Sequence, residues 1–250
     1  KGKNNMSAEQ AMEFSEDSCS DEFTPNNDAI STTSASDAQE KPFFRELMET
    51  LTVQRWDDHR YYHHSRINQA LHLVSALCFI ASYVILFVDP AMAALLAWGI
   101  SMTSRQCGHF FFEPHTYDRV NDASHQHKEE IKIGYNLRRK VVLMSAWAII
   151  PLVIWFFPSV GGLFEPAKGF GGYLHNVGIA WLVLGVGGLI FRSVHLFFLY
   201  DVKTGVVWAI KILTDPFHDA KIYCKAPLHL MRGELMDPML HVQHQGKWVN

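Results

Sequence analysis

The sequence predicts an all-α, polytopic membrane protein with about four transmembrane helices and a His-rich metal site at the cytoplasmic face. Three observations lead there. Long apolar runs carry almost no charge. Lys and Arg alternate between the loops that join them. The chain has 14 His against 22 Lys+Arg, and the same alternation gathers nearly all of the histidines on one side. Whole-chain averages conceal this. Across 250 residues, 48% are hydrophobic and 19% charged, close to an ordinary soluble domain. The mean hydropathy is zero because a polar tail dilutes the apolar remainder.

Residues 1–42 are rich in Ser, Asp, Glu and Asn. Such a segment cannot bury enough apolar surface to offset its ordering entropy, and a disordered acidic tail is expected. Phe43 to Leu51 (FFRELMETL) has the pattern of an amphipathic helix that lies on a membrane or docks on the domain. Leu71 to Val88 is apolar without a charge, and Ala91 to Thr103 continues after Asp89-Pro90, with helical periodicity able to run on to Glu113. Val141 to Phe157 contains Pro151 as a potential kink, and Tyr173 to Tyr200 is interrupted by Arg192 and His195. A bilayer core needs about 20 apolar residues per helix. The first, third and fourth runs meet this directly. The second does so if its polar end faces protein. Residues 43–214 are therefore expected to form the membrane domain and 215–250 a cytoplasmic C-terminal segment.

Short loops rich in Lys and Arg stay in the cytoplasm. The flank before the first run holds Lys41, Arg45, Arg55, Arg60 and Arg66. The 89–90 turn has none. The 105–140 loop is strongly basic, the 158–172 loop has only Lys168, and the C-terminal part is basic again. The expected topology is four spans with both termini cytoplasmic. It leaves His175 alone on the far side. A net charge of −3 excludes a strong nucleic-acid binder, which needs a basic stripe. The tight cluster Arg138-Arg139-Lys140 abuts an apolar run and suits a membrane flank. Four cysteines without a CxxC spacing argue against a disulfide framework. No G-x-S-x-G, Walker or Rossmann glycine pattern occurs.

The chemistry lies in the histidines. In HRYYHHSRINQALH, residues 59–72, a continuous helix would put His64, Asn68 and His72 in one stripe at i, i+4, i+8, and His59 and His63 in another pair. Imidazoles entering a membrane are costly unless they bind something, and neutral imidazole is the commonest metal ligand. In QCGHFFFEPH, residues 106–115, His109 and Glu113 are again i, i+4, and Gly108 permits close helix approach. Histidines plus a carboxylate with open positions suit non-haem Fe(II). Alternatively, Glu113 supports a ligand His by a hydrogen bond. His125 and His127 in HQHKEE are further candidate ligands, or solvated loop residues. Asp215, His218 and Asp219 form a looser cluster. Arg192 either holds an acyl carboxylate or snorkels to the interface.

Tyr62, His64, Asn68 and His72 form Y-x-H-x-x-x-N-x-x-x-H, and Gln106, Gly108, His109, Phe112 and Glu113 form Q-x-G-H-x-x-F-E. Taken in this order, the two motifs resemble those of the membrane 2-hydroxy fatty acid dioxygenases, the yeast-type enzymes of phytosphingosine metabolism. The similarity covers about residues 59–113. It implies an Fe(II) oxygenase embedded in the membrane that uses O2 to shorten 2-hydroxy fatty acids by one carbon. Residue by residue it implies His64, His72 and His109 as iron ligands, supported by Asn68 and Glu113. We add His125 as a fourth candidate ligand, and Tyr62 and Arg192 as candidate substrate contacts. The pattern departs at Ser75, where the family often has glycine, in the long His-rich loop after Glu113, and in 215–234. The expected partners are a fatty acyl or lipid substrate, O2 and membrane lipid. A homo-oligomer is left open.

Two other readings compete. A membrane di-iron hydroxylase or desaturase would use about eight histidines. His59, His63 and His64 do read H-x-x-x-H-H, with His125, His127, His195 and His218 to complete a set, but the later H-x-x-H-H boxes are missing. A non-enzymatic His-rich membrane subunit would leave its histidines dispersed and exposed.

Overall fold

The structure is a computed structural model that describes residues 43–113, 116–133 and 137–239. The expected tail at 1–42 and the last residues from 240 lie outside them. The described chain is helical, with only two isolated β-bridges, Ser65 with Met236 and Asp118 with Ala123.

Helix α1 (Phe43–Tyr62) is amphipathic as its sequence predicts. Leu47 and Leu51 pack on Val207, while Phe43 and Phe44 stay exposed. The chain then breaks at 63–65. Ser65 caps α2 (Arg66–Ile85), accepting from the Asn68 N–H at 3.4 Å, the usual task of a serine at a helix start. A tight turn leads to Asp89, whose carboxylate caps α3 (Pro90–Leu95) from the Met92 N–H at 3.0 Å. Residues 90–112 form one uninterrupted helical rod of alternating character. After α3 come a π segment, Leu96–Met102, then α4 (Thr103–Cys107), then a second π segment, Gly108–Phe112. Such π turns are rare and concentrate at functional sites.

A short α5 (His125–Ile131) precedes α6 (Leu137–Phe156) and α7 (Gly169–Leu199). Then α8 (Val202–Tyr223) returns along the bundle, and α9 (Ala226–Met231) closes it. The central helix is α2, which packs on α8 and on the rod. The rod in turn packs on α7, where Gly178 lies so close to the Ala91 backbone that no β-carbon would fit. Ala94, Trp98, Ile154, Val177 and Trp181 form the largest apolar core cluster. Residue 214 falls inside α8. The residues after it therefore continue the helical domain, and the expected boundary at 214/215 does not divide the structure there.

Three helices are long and apolar enough to cross a membrane: Arg66–Ile85, Arg138–Phe156 and Gly169–Leu199. The second has only 6% of its apolar window buried inside the protein. A helix this apolar all round needs a lipid environment to cover it.

Helices α1 and α8 are joined by a buried ion network. Lys211 Nζ bonds both Asp58 and Asp215, the latter at 2.7 Å, and Arg55 Nε reaches the other oxygen of Asp215 at 3.0 Å. Burial opposes the charge on Lys211, yet the two carboxylates hold its pKa above the ordinary lysine range. Removing one member of a buried network strands the others. Asp58 is partly exposed, so Lys211→Met is expected to cost about 3 kcal/mol, at the lower end for such pairs. Chemical unfolding in detergent checks this, and an unchanged midpoint would show that the network carries no stability.

Candidate metal centre

Three imidazoles converge where α1 ends, α2 begins and the rod finishes. His63 Nε2 lies 3.2 Å from His72 Nε2, which lies 3.2 Å from His109 Nε2. His72 is fully buried and His63 nearly so. Among the described residues these are the side chains whose donor atoms cluster closely enough to hold one metal ion.

The far side of each ring decides what the near side can do. His63 Nδ1 lies 2.9 Å from the Asp58 carbonyl, His72 Nδ1 3.4 Å from Asp219 Oδ2, and His109 Nδ1 2.7 Å from Glu113 Oε2. All three partners are acceptors, so each Nδ1 carries the hydrogen. Each Nε2 is then left with a lone pair aimed at the others. Burial, then the His72 and His59 rings, hold the His63 pKa well below the ordinary histidine range, which keeps that imidazole unprotonated. Lone pairs 3.2 Å apart repel unless a cation sits between them. Ligand nitrogens about 2.1 Å from a metal are about 3.0 Å apart at a right angle and about 3.4 Å apart at the tetrahedral angle. The observed separations fall between these values. Rings whose outer nitrogens donate to carboxylates or carbonyls are the usual support of metal-bound histidines.

The local sequence builds this geometry. Ending α1 at Tyr62 frees the His63 ring to fold back over α2. Asn68, fully buried, donates to the Tyr62 carbonyl at 2.8 Å, and Gln69 donates to the His63 carbonyl at 2.8 Å and to Asp237 at 2.9 Å. Arg66 pairs with the same Asp237 at 3.0 Å. The rod approaches α2 at Gly108, where a β-carbon would collide with the Asn68 amide oxygen. The second π segment carries His109 into line with His72. Asp219, one turn beyond Asp215 on α8, also accepts from Arg105 at 3.2 Å. The Tyr223 hydroxyl bonds His59 Nδ1 at 3.0 Å, with its ring against His63.

Of the predicted ligands, the structure brings together His72 and His109. His63 stands where His64 was expected. The reason is the helix break: 64, 68 and 72 form a stripe only on a continuous helix, and His64 lies in the turn. Its Nε2 donates to the Arg60 carbonyl at 2.6 Å and faces Asp118 at 3.2 Å, within a knot where Lys128 binds Asp118 at 2.7 Å. Ser65 as a helix cap was the available sign that the helix restarts. Asn68 positions backbone and makes no bond to the triad, and Glu113 supports His109 from behind. His125 stands apart from the triad. It shares a small cavity of about 30 Å³ with His109, Glu113, Glu129 and Lys140. Arg192 is buried and bonds the Ile133 carbonyl and His195 Nδ1, tying α7 to the loop after α5. Tyr62 donates to the Lys128 carbonyl and lines the main cavity.

That main cavity has a volume of about 470 Å³, in the range of small-molecule sites. His63, His109 and Arg105 lie at its polar end. Trp98, Leu143, Met144, Leu182 and Leu189 line the apolar remainder. No family model matches the chain, and no curated protein or solved structure matches it either.

Replacing Glu113 by Ala leaves the His109 ring without its Nδ1 acceptor, and metal affinity is expected to fall about 10- to 100-fold in competition with a chelator. Unchanged affinity would mean that Glu113 does not orient the ring. The knot at Asp118 makes a separate forecast. Burial pushes this carboxyl up, but hydrogen bonds from Lys128 and Asn121 outweigh it and hold the pKa below its ordinary value. Its contribution to stability is therefore present above the unfolded-state pKa, near 4, and is lost as pH falls through the lower folded-state value. Asp118→Asn should flatten that acid limb in unfolding measured against pH.

Proposed function

We propose that the chain is a membrane oxygenase in which His63, His72 and His109 hold one Fe(II) and the main cavity takes a fatty acyl substrate. Its reaction would be the one-carbon oxidative shortening of a 2-hydroxy fatty acid. The observation that supports it best is the outward-satisfied, inward-facing triad at the polar end of an apolar cavity. The donor set fits a divalent metal with coordination positions left open, as oxygen chemistry requires. Three imidazoles suit zinc as well. Iron is chosen for the resemblance at residues 59–113 and for the largely apolar cavity beside the triad. Fe(II) bound there would supply the one-electron chemistry that activation of O2 demands.

The protein's own part would be orientation and exclusion of water. The Asp58 carbonyl, Asp219 and Glu113 fix the ring tautomers. The apolar walls hold the chain so that its carboxyl end meets the triad. The overall change, RCH(OH)COOH with O2 to RCOOH, CO2 and water, balances in atoms and electrons without another reductant. The reading includes a fourth span. The rod at 90–112 would cross as the partner of α2, with its polar end turned inward to Asp219 and the triad, and both termini would be cytoplasmic. The di-iron alternative needs a second ligand cluster, and among the described residues one group of His, Cys, Asp or Glu has that geometry.

Metal analysis of protein purified without oxygen tests the centre. One iron per chain is expected. It should be lost in His63→Ala, His72→Ala and His109→Ala and kept in His64→Ala. Two irons would favour the di-iron enzyme, zinc would remove the oxygenase, and metal loss in His64→Ala alone would restore the continuous-helix stripe. Conversion of 2-hydroxypalmitate to pentadecanoate tests the reaction.

A further inference from the structure

Four cationic side chains line the main cavity: Arg105, Lys132, Lys140 and Lys211. Three have a counter-charge. Arg105 is paired with Asp219 at 3.2 Å, Lys211 with Asp58 and Asp215, and Lys132 with Glu129 at 3.4 Å. Lys132 also sits over the Tyr62 ring, 3.6 Å from its centre. Lys140 has no such partner: no carboxylate of the described residues lies within ion-pair distance. Glu113 and Glu129 share the small cavity with it but are ion-paired elsewhere, Glu113 with His109 and Glu129 with Lys132. Lys140 nonetheless faces inward. It lines both the main cavity and the small one beside His109, and is the only residue besides His109 and Lys132 to do so.

Lys140 is half-buried, and an ammonium partly withdrawn from water without a bonded counter-ion is unfavourable. An anion delivered to that point would relieve it. Beyond its polar neighbours, the main cavity runs on along Leu143, Met144, Leu182 and Leu189, so an anion reaching Lys140 through it arrives at the end of a hydrocarbon chain. We propose that Lys140 is the binding residue for the carboxylate of a single-chain acyl substrate, and that it sets selectivity for acids over neutral lipids of the same chain length. This assigns to Lys140 the role expected of Arg192, whose guanidinium is occupied by the Ile133 carbonyl and His195. It rests on the acyl-substrate reading above but not on the identity of the metal.

The test is displacement of cis-parinaric acid from the full chain in detergent by palmitate, hexadecanol and lysophosphatidate, with metal content measured in parallel. A charge-assisted contact is worth about tenfold to a hundredfold in affinity. Lys140→Met, or Lys140→Gln if the first does not fold, should weaken palmitate by that factor. Hexadecanol affinity and metal content should not change, and Lys140→Arg should restore most of the palmitate affinity. The proposal is overturned if palmitate and hexadecanol weaken equally, if neither weakens, or if only lysophosphatidate depends on Lys140. A metal-free wild-type protein that still shows the Lys140-dependent acid preference would sink the iron centre and leave the carboxylate anchor standing.

Discussion

Three converging nitrogen lone pairs, with His72 Nε2 3.2 Å from both His63 Nε2 and His109 Nε2, are a repulsive arrangement, and much of the surrounding polar structure holds them there. Each ring is pinned from behind, by the Asp58 carbonyl, Asp219 and Glu113. Those anchors are themselves fixed. Asp58 belongs to the Lys211 network, and Asp219 to Arg105. The backbone bearing His63 is tied by Asn68 and Gln69. No pair in this chain of contacts is strong by itself, because a hydrogen bond contributes about 1 kcal/mol net. Their joint effect is to leave each ring no low-energy rotation that would relieve the repulsion. Strain maintained this way is what a preorganised metal site looks like before its ion is considered.

The sequence made the helices and most of the site legible, and its one local misplacement is instructive. His72 and His109 were identifiable because each breaks an apolar pattern and has a spacing partner on its own helix. His63 was read as half of an i, i+4 pair with His59, and its neighbour His64 was preferred because 64, 68 and 72 fit a single stripe. Periodicity assumes that the helix is continuous. Ser65 is a strong N-cap and reports that it is not, but the apolar residues on either side keep helical phase and mask the break. Glu113 and Asn68 were found for the right region, with roles that only the ring orientation reveals. Asp219 was seen as part of a loose cluster, since nothing local connects a residue on α8 to His72 at a sequence distance of 147.

Membrane helices were visible through hydropathy because exposure to lipid imposes apolar character on every face. That criterion identifies α2, α6 and α7, and the rod at 90–112 does not meet it. Its second half carries Arg105, Gln106 and His109, which composition counts against it. All three are turned towards other protein groups, where Asp219, Met102 and the triad receive them. The π segments matter here. An extra residue in a turn rotates everything after it about the helix axis, so a period of 3.6 carried across both π segments drifts from the face each residue presents. Gly108 and its missing β-carbon then set how near the rod comes to α2.

The distribution of charge separates structure from function more sharply than any motif. Asp58, Asp215, Lys211, Arg55, Arg105, Asp219, Asp118 and Lys128 are each answered by an opposite charge, as buried ions must be for the fold to persist. Groups so matched are accounted for by folding alone. Among the described residues, the polar end of one apolar cavity gathers two features that folding does not answer, a cluster of lone pairs and an ammonium without an ion pair. A fold tolerates such violations where a ligand completes them. The first asks for a cation and the second for an anion. The metal ion and acyl carboxylate proposed above would meet both demands within one cavity, whereas a structural metal alone would leave Lys140 unexplained.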